Sequence, residues 1–514
     1  MKARQADRTR IAEYGDFQTP PALAAQVCRV LSQTVLPPAC VIEPNCGVGN
    51  LLLAAHAAFP SADRSIGIDI NPAYVNRARS RTLNNGSGRR VDITEGDFFN
   101  TDWRSILAAC PEPILVIGNP PWVTNTHLGR LNSTNTPPKS NEQGLTGYEA
   151  ITGKSNFDIS EWMLIRLLDW LDGRSATLAM LCKTSVARKV LAYAWHSGRR
   201  IAAASMYLID AREHFDAAVE ACLLVCVLSP SLGSCECSVF PDLAAKRPSS
   251  VVGYSNGQLV ADMGLYHRRK ELAGQERYKW RSGIKHDCSR IMELHRHNQV
   301  YVNALGDNVD VEEEYLFPLF KSADVAHGRL RKPNRYLVVT QRRVGEDTRI
   351  IQHVAPRMWQ YLHSHADLLD GRRSSIYVGQ PRFAVFGVGQ YTFAPWKVAV
   401  SGLYKEPIFR VVPPLDGKPS VLDDTCYFVP CNSEDEAAYV ASLLNSEPAS
   451  EFYRAFLFAD AKRPMTVDLL RRLDLAAVAR VLGSESTFHA MYAAQTAAGW
   501  RDTSHIVVQP ALFP

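Results

Sequence analysis

The sequence contains no apolar run long enough to suggest a membrane protein. A transmembrane helix needs roughly 18 or more consecutive apolar residues, and no stretch of this 514-residue chain reaches that length. Its amino terminus, MKARQADRTR, is polar and is not followed by the apolar segment of a signal peptide. We therefore expect a cytoplasmic protein with no membrane partner.

The sequence also lacks the cysteine patterns of disulfide-stapled and zinc-binding domains. Its 12 cysteines are scattered through apolar surroundings, as at Cys28, Cys182 and Cys222, and a cytosolic chain keeps such thiols reduced. Cys235 and Cys237 form a single C-x-C pair without the second pair that a structural zinc site needs. We expect free thiols and no bound metal.

The chain is long enough for two or three domains, and its charge is unevenly distributed. The formal net charge is only +5, yet residues 265–297 carry nine Lys or Arg against four acids, and residues 329–349 carry seven against two. A Ser- and Pro-rich segment near residues 229–250 interrupts the pattern of strands and helices. We place the domain boundary there, with one domain over residues 1–240 and a more basic one over residues 241–514.

Strand and helix patterns alternate through the first domain. The β-branched runs VIE (41–43), SIGIDI (65–70) and ILVIG (114–118) alternate with segments whose apolar side chains recur at helical spacing. This alternation predicts an α/β fold with a doubly wound, mostly parallel sheet. Residues 251–514 contain short β-rich runs and two late amphipathic segments, which predict a mixed α+β domain with C-terminal helices.

The first three predicted strands end in residues that suit an adenosyl cofactor. The glycine-rich turn at residues 44–49 follows the first strand, and Leu52 stands where a dinucleotide-binding turn has its third glycine. Asp69 ends the second strand, where a carboxylate can accept hydrogen bonds from ribose hydroxyls. Asp97 and Phe98 follow the third strand, where an acid and an aromatic ring can contact adenine. We therefore predict a nucleoside-type cofactor.

The fourth predicted strand ends in an unusual turn, N-P-P-W, in which two prolines remove two backbone donors. The motifs that lead up to this turn and follow it are, in order, T-P within QTPP (18–21), P-x-x-G-x-G (44–49), Asp69, G-D-F (96–98), N-P-P-W (119–122), G-K-S-N (153–156) and a Phe at position 215. Their order resembles that of the gamma-class amino-methylating DNA methyltransferases of restriction-modification systems, over roughly residues 15–228. Those enzymes are class I, S-adenosylmethionine-dependent and Rossmann-like.

The resemblance implies a cofactor, a substrate and a set of site residues. S-adenosyl-L-methionine would be the methyl donor, and an adenine flipped out of duplex DNA would be methylated on its N6 amino group. The residues expected to contact cofactor are Thr19, Glu43, Asn45, Gly47, Gly49, Asp69, Ile70, Asp97, Phe98, Asn119 and Pro121. The residues expected at the reaction centre are Asn119, Pro120, Pro121, Trp122 and Phe215.

The N-P-P-W turn suits an amino group that is a poor nucleophile. The exocyclic nitrogen of adenine shares its lone pair with the ring, and hydrogen bonds accepted by the Asn119 side-chain oxygen and the Pro120 carbonyl would free that pair for attack. The proton can leave after methyl transfer, so we expect no catalytic base. Trp122 is expected to stack on the flipped base. By resemblance, Phe215 would pack against the base from the other side; the alternative for both rings is a place in the core.

Several assignments have alternatives that the sequence leaves open. The aromatic cofactor contact in the helix after residue 153 is either Phe157 or Trp162. The long polar loop over residues 124–147 is expected to close over substrate. An N4-cytosine DNA methyltransferase is an alternative, since cytosine N4 is also an exocyclic amine. A methyltransferase that acts on RNA or on a protein glutamine is a further alternative, but it would hardly need the basic extension. A non-catalytic DNA-binding module would not need the cofactor turns.

The basic second domain resembles the target-recognition domain of the same family. Its candidate DNA contacts are Arg329, Arg331, Lys332, Gln341, Arg342, Arg343, Arg372 and Arg373. These residue types can meet phosphates or read base edges. No persuasive P-D…(D/E)-x-K nuclease pattern is present. We therefore expect a monomeric modification enzyme of a bacterial or archaeal cell with double-stranded DNA as its partner, and a cognate restriction endonuclease, if there is one, would be a separate protein.

Overall fold

The computed structural model describes residues 17–82, 89–123, 158–231, 233–298, 300–333, 335–458 and 460–497. The chain divides into two compact units, the first ending at Met263 and the second beginning at Gly264. The boundary expected at residue 240 instead coincides with the end of a strand in the sheet of the first unit. The structural boundary lies later because residues 250–260 add two more strands to that sheet.

The first unit is built on a single sheet of ten strands. They are β1 (Cys40–Glu43), β2 (Arg64–Asp69), β3 (Arg90–Glu95), β4 (Ile114–Gly118), β5 (Ala176–Lys183), β6 (Ile201–Ile209), β7 (Ala221–Leu228), β8 (Glu236–Phe240), β9 (Ser250–Ser255) and β10 (Gln258–Val260). Their spatial order is β10-β9-β8-β6-β7-β5-β4-β1-β2-β3. The chain therefore winds outward from β1 in one direction and from β4 in the other.

Most strands of this sheet run parallel to their neighbours. The five strands from β3 to β5 in the spatial order are parallel throughout, and β7 is antiparallel to both β5 and β6. Strand β8 is parallel to β6, whereas β9 and β10 each reverse direction. The prediction of a doubly wound, mostly parallel α/β sheet is thus confirmed.

Helices pack on both faces of the sheet around an apolar core. They are α1 (Pro21–Thr34), α2 (Asn50–Ala58), α3 (Pro72–Thr82), α4 (Trp103–Ala108), α5 (Ile159–Leu171), α6 (Thr184–His196) and α7 (Ala211–Phe215). Helix α1 begins with Pro21 at its first position, where the missing N–H costs no helical hydrogen bond. Its buried residues Leu23, Val27 and Leu31 share a core cluster with residues of the central strands. This core holds the carboxyl ends of β1, β4 and β5 in fixed register.

The second unit contains two smaller sheets and a set of C-terminal helices. The strands are β11 (Arg281–Ser282), β12 (Glu293–His297), β13 (Val300–Val302), β14 (Asn308–Val309), β15 (Leu316–Phe320), β16 (Arg335–Val338), β17 (Trp396–Ser401), β18 (Arg410–Val412), β19 (Val421–Leu422) and β20 (Cys426–Cys431). One sheet has the order β11-β20-β17-β18 and the other β14-β13-β12-β16-β15-β19.

The helices of the second part of the chain lie between and after these strands. They are α8 (Met263–Arg269), α9 (Ser289–Met292), α10 (Ser322–His327), α11 (Ile351–Val354), α12 (Pro356–Ser364), α13 (Ala366–Asp370), α14 (Glu434–Leu444), α15 (Glu447–Arg454), α16 (Val467–Leu470), α17 (Leu475–Val481) and α18 (Glu485–Ala497). Buried residues of α14 to α18 form a core cluster with the four-stranded sheet. The unit is therefore the mixed α+β domain that the sequence predicts, with its helices at the carboxyl end.

Candidate active site

The N-P-P-W turn lies at the carboxyl end of β4, in the middle of the sheet. All five residues of β4 are buried, and the strand pairs with β1 on one side and β5 on the other. Asn119 follows directly and is half-buried, while Pro120 is buried and Pro121 half-buried. The turn thus follows a fully buried central strand, at the end of the sheet where an open α/β fold forms its binding crevice.

The side-chain amide of Asn119 is held by the segment just before α1. Its Nδ2 donates to the Phe17 carbonyl at 2.9 Å and to the Thr19 hydroxyl at 3.3 Å. Its Oδ1 is buried and accepts no hydrogen bond from the described residues, and no described residue donates to the Pro120 carbonyl. A buried acceptor without a donor costs about 1–3 kcal/mol. The turn therefore presents two acceptor oxygens that a substrate N–H can use.

Trp122 and Phe215 come together, but they contact each other. Trp122 is 5% exposed and Phe215 is 8% exposed, and their ring centroids lie 5.1 Å apart in an edge-to-face arrangement. Two rings that sandwich a base must lie roughly 7 Å apart, since each stacked layer needs about 3.5 Å. The expected position of a base between these two rings is therefore closed in this conformation, because the rings fill it with their own contact.

Two further groups fix this aromatic pair, and neither was among the predicted site residues. The Trp122 Nε1 donates to the Leu181 carbonyl at 3.2 Å, which holds the indole against β5. The ring of Phe17 lies 5.7 Å from Trp122 and 5.9 Å from Phe215. An aromatic residue immediately before the Q-T-P-P segment is the signal from which Phe17 could have been identified.

An ion pair at the end of β5 holds the backbone of the N-P-P-W turn. The Lys183 Nζ donates to the Trp122 carbonyl at 3.0 Å and to Asp158 Oδ2 at 2.6 Å. The Lys183 side chain is only 20% exposed and the Asp158 side chain only 8%. Ile159, which follows Asp158, donates its backbone N–H to the Val123 carbonyl at 3.0 Å. Sequence reasoning missed this pair. The signal that could have indicated it is a lysine at the end of β5, a strand that is otherwise largely apolar.

The glycine-rich turn after β1 takes a shape that requires glycine. Gly47 and Gly49 have φ angles of +50° and +82°, in the left-handed region. A Cβ on Gly47 would collide with the side chain of Gln18, whose Oε1 accepts the Val48 N–H at 3.1 Å. The Gly47 N–H donates to Asp69 Oδ2 at 2.7 Å. The turn and the end of β2 therefore form one connected cradle.

Glu43 and Thr19 lie behind this cradle and support it. Glu43 is buried and accepts the Leu52 N–H at 2.7 Å, near the start of α2. Burial raises the pKa of the Glu43 carboxyl well above its ordinary value. Thr19 is also buried, and its carbonyl accepts from Asn50 Nδ2 at 2.8 Å. Both residues thus position the backbone around the cradle.

The third strand end departs from the prediction at Phe98. Its ring is 4% exposed and packs against Trp103 at 5.2 Å and Trp170 at 5.9 Å, so it faces an aromatic core and is not available to cover adenine. The neighbouring Phe99 is half-buried. The Asp97 carboxylate accepts the Phe99 N–H at 3.0 Å and so shapes the same loop.

Trp162 belongs to the same edge of the sheet. Its ring lies 5.2 Å from Phe99 and 6.2 Å from Phe98, so it reaches the loop after β3. Phe157, the G-K-S-N motif and the loop over residues 124–147 lie outside the described residues.

At the end of β2, Ile70 is 44% exposed, and in the turn after β1 Asn45 is half-buried. One exposed apolar side chain, Ile70, and one partly exposed polar side chain, Asn45, thus border the cradle.

In the second unit, four of the eight residues predicted to contact DNA are exposed without an internal side-chain partner in the described structure. They are Arg331, Lys332, Arg343 and Arg373. Arg329 pairs with Asp324 at 3.3 Å and remains exposed. These five side chains keep charged groups in solvent, which a phosphate contact requires.

Two of the eight residues are committed to internal contacts, which corrects their predicted role. Gln341 is 2% exposed; its Nε2 donates to the Glu346 carbonyl at 2.6 Å, and its Oε1 accepts the Val385 N–H at 3.0 Å. Arg372 donates to three backbone carbonyls. Both side chains therefore hold backbone segments of the second unit, with Gln341 buried and Arg372 partly covered.

Arg342 is an intermediate case. It is exposed, but its guanidinium lies 4.5 Å from the Phe393 ring and 5.1 Å from the Phe317 ring, and its Nη2 donates to the Glu314 carbonyl at 3.3 Å. Cation–π contacts of this kind hold a guanidinium in place while one edge stays in water. Arg342 can therefore contribute charge at the surface without being free to reorient.

The cradle and the turn fit the methyl donor that the fold implies. The strand order 3-2-1-4-5-7-6 with one reversed strand defines a class I methyltransferase fold, and enzymes of this class use S-adenosylmethionine. The close turn at Gly47, the half-buried Asp69 carboxylate and the unpartnered Asn119 Oδ1 lie on adjacent strand ends. They match a ligand that carries ribose hydroxyls and delivers a group to a second substrate.

One relative shows the family. The chain is 44% identical over 477 residues to the type II methyltransferase M.NspV of Nostoc sp. (strain ATCC 29411 / PCC 7524), an alignment that covers 93% of this chain and 99% of that protein. The chain therefore belongs to the type II methyltransferases. No family model matches the sequence.

Solved structures resemble this chain only at low similarity. The type IIL restriction-modification enzyme MmeI, solved in complex with DNA, is 12% identical and has a TM-score of 0.46, covering 96% of this chain and 77% of that chain. A type I restriction-modification methyltransferase subunit from Streptococcus thermophilus is 15% identical with a TM-score of 0.30, covering 44% of this chain and 47% of that chain. Among the described helices, none is both long and apolar enough to cross a membrane.

Proposed function

We propose that this chain is the modification methyltransferase of a restriction-modification system and that it methylates the N6 amino group of adenine in duplex DNA. The observation that carries this proposal is a pair of acceptors at the turn, Asn119 Oδ1 and the Pro120 carbonyl, to which none of the described residues donates. An exocyclic amine has two N–H groups, and two acceptors on adjacent residues suit both. A substrate oxygen or carbon nucleophile would not need them.

The chemistry follows from what the two acceptors do to the amine. When bound, S-adenosylmethionine supplies an electrophilic methyl group on a sulfonium. Hydrogen bonds from the amine to Asn119 Oδ1 and to the Pro120 carbonyl pull the nitrogen towards tetrahedral geometry and localise its lone pair. The amine becomes cationic and strongly acidic only after it has been methylated. Its proton can then leave to solvent, so no general base is required.

Phe17 and Thr19 act as positioning residues for the Asn119 amide. Their oxygens accept from Nδ2 at 2.9 and 3.3 Å, so the amide nitrogen is occupied and the oxygen is left as the free end. A flipped amide would place two N–H donors where the substrate also brings donors. The contacts to the segment before α1 therefore select the reactive orientation.

Entry of a flipped base requires one ring of the aromatic pair to move. Trp122 is tied to Leu181 through its indole N–H, whereas Phe215 ends the short helix α7 and precedes Asp216, whose φ is +53°. We infer that Phe215 is the ring that gives way and then packs against the base, while Trp122 stays and stacks on it. The exposed basic residues of the second unit supply the phosphate contacts.

The direct test is methyl transfer from labelled cofactor to duplex DNA, to RNA and to protein, followed by analysis of the modified nucleoside. We expect label in DNA alone, as N6-methyladenine. Label recovered as N4-methylcytosine would identify the alternative base, and label in RNA or protein would overturn the DNA assignment. Sequencing DNA from a methylation-free host that expresses the chain would give the recognition sequence.

Two substitutions test the acceptor mechanism. Asn119→Ala should reduce turnover by at least roughly 100-fold, as loss of a single transition-state hydrogen-bonding group does in other enzymes, while DNA and cofactor still bind. Thr19→Val removes one of the two groups that orient the amide and should reduce turnover by roughly fivefold to tenfold. Thr82→Val, at the exposed end of α3, is the matched control. Near-normal turnover of Asn119→Ala would rule the mechanism out.

A further inference from the structure

The second unit carries an exposed loop, residues 373–381, between α13 and the buried Phe383. Val378 is 80% exposed, the highest value among the large exposed apolar side chains of the described structure. Arg373 and Gln380 are also exposed. An apolar side chain so fully in solvent contributes almost nothing to the core, so the fold alone gives no reason for it.

Both ends of this loop are clamped. At the first end, the Arg372 guanidinium donates to the carbonyls of Leu369 at 2.7 Å, Ala384 at 2.7 Å and His286 at 3.2 Å. It also lies over the Tyr377 ring with its central carbon 3.8 Å from the ring centroid. One side chain thus ties three separate chain segments and a residue of the loop itself.

The second end is held by side chains from other parts of the unit. The Phe383 carbonyl accepts from the Thr340 hydroxyl at 2.7 Å, and the Val385 N–H donates to Gln341 Oε1 at 3.0 Å. Arg382 pairs with Asp370 at 2.6 Å. Phe383 itself is fully buried with a φ of +64°, a conformation that a phenylalanine adopts only when its surroundings impose it.

The tip between these clamps has its own regular shape. The Val378 N–H donates to the Ser375 carbonyl at 3.2 Å, and the Gln380 N–H donates to the Tyr377 carbonyl at 3.2 Å. Gly379, between them, has a φ of +74°. A tip with internal hydrogen bonds on clamped ends is already ordered, and an ordered loop pays little entropy when it binds.

We propose that this loop is a recognition loop that enters the major groove of duplex DNA, with Val378 against an apolar base edge and Arg373 and Gln380 on polar ones. The inference rests on the proposed function. The major groove displays both kinds of edge, the thymine methyl group and the acceptors and donors of each base pair. Arg373 is exposed and has no internal partner in the described structure, so its charge is available to DNA.

In this assignment Arg372 and Gln341 are positioning residues, and the contacts to bases come from residues farther along the loop. The two side chains act on the same stretch, since Arg372 binds the Ala384 carbonyl and Gln341 binds the Val385 N–H. Substitution of Arg372 or Gln341 should therefore increase the mobility of the loop, although it removes no direct contact with a base.

The experiment places a photo-crosslinking amino acid at position 378 of the full chain and irradiates the complex with duplex DNA carrying the methylation site. Position 481, whose valine is 50% exposed at the end of α17, is the matched control. We expect a crosslink to DNA from position 378 and little from position 481. Equal crosslinking from both positions, or none from position 378 while the same sample methylates DNA, would overturn the inference. Absence of DNA methylation by the unmodified chain would instead overturn the proposed function.

Substitutions supply an independent readout. Val378→Ser should raise the Kd for the methylation-site duplex on the order of tenfold and leave the Kd for an unrelated duplex unchanged, whereas Val481→Ser should change neither. Arg372→Lys keeps the charge but loses the three-carbonyl tie and the stacking on Tyr377. It should increase hydrogen exchange of residues 373–381 and raise KM for DNA with kcat largely kept. A Val378→Ser variant with unchanged discrimination would count against the loop.

Discussion

Removal of the Lys183 ammonium provides the sharpest test of how the N-P-P-W turn is held in place. It links the Trp122 carbonyl, at 3.0 Å, to the Asp158 carboxylate, at 2.6 Å, and both charged side chains are largely covered. Lys183→Met keeps a side chain of similar length and removes the ammonium. The Trp122 carbonyl then loses its donor and Asp158 loses its counter-ion, so the turn should become less fixed.

The size of the effect follows from what remains around Asp158. Removing one partner of a buried ion pair costs about 3–5 kcal/mol. Here the Ser160 N–H and hydroxyl still donate to Asp158 Oδ1, at 3.1 and 2.5 Å, so we expect the lower part of that range, about 3 kcal/mol. Turnover should fall at least roughly tenfold, because about 1.4 kcal/mol of positioning free energy is a factor of ten. The affinity for S-adenosylmethionine should change little.

The control for Lys183 is a second ion pair, which joins α5 to α6. Lys189 Nζ lies 3.0 Å from Glu161 Oε2, and the Glu161 side chain is 5% exposed. Lys189→Met should therefore lower the free energy of unfolding, although by less than Lys183→Met because Lys189 is 38% exposed, and should leave turnover unchanged. Urea unfolding gives the stability, and single-turnover methylation gives the rate. Equal losses of turnover in the two variants would refute a specific role for Lys183.

The double variant Lys183→Met/Asp158→Asn separates charge from positioning. With both charges removed, the cost of an uncompensated carboxylate disappears, so part of the stability should return. The Trp122 carbonyl still lacks its donor, so turnover should remain low. If turnover recovered together with stability, the ion pair would act only on the fold and the reasoning would fail.

Two further predictions concern the second unit. Burial lowers the pKa of Lys397 to about 7, whereas the pKa of a lysine in the unfolded chain is near 10.4. Between these two pH values the unfolded chain binds more protons than the folded chain, so stability rises with pH across that window. Lys397→Met should remove this rise and stabilise the unit below pH 7, measured by thermal unfolding at pH 6 and pH 9, and an unchanged profile would contradict the burial argument. Arg343→Gln combined with Arg331→Gln should weaken DNA binding and flatten its dependence on salt. Arg349→Gln, whose guanidinium pairs with Asp347 at 2.7 Å, should do so less, and equal effects would exclude a specific contact.

The sequence was sufficient for the fold class and for the position of the N-P-P-W turn at the end of a central strand. Strand ends follow from β-branched runs, and polar residues at those ends of a parallel sheet must lie on one edge. That reasoning brings Gly47, Asp69 and Asn119 to adjacent strand ends, as the structure shows. The glycines could be predicted because a close turn of this kind needs positive φ angles, which glycine adopts more readily than other residues.

Sequence reasoning failed where a role depends on which way a side chain points. Phe98 follows Asp97 in a motif, yet nothing in the motif indicates that its ring packs against Trp103. Gln341 stands beside two arginines in a basic segment, yet its amide ties residues 346 and 385. Strands β8 to β10 were missed because the Ser- and Pro-rich composition around them is typical of linkers, whereas pairing with β6 comes from the tertiary structure.

The unpartnered Asn119 oxygen connects stability with function in this molecule. Its amide nitrogen is engaged by Phe17 and Thr19, while its oxygen has no donor among the described residues; a buried acceptor without a donor costs about 1–3 kcal/mol. An apolar residue of similar size would avoid that cost, so stability alone does not explain an asparagine here. The cost can be sustained because β4 is buried and paired on both sides, and in the proposed mechanism it is recovered when a substrate amine supplies a donor. The acceptor that is costly to bury is therefore also the group best suited to an N–H donor.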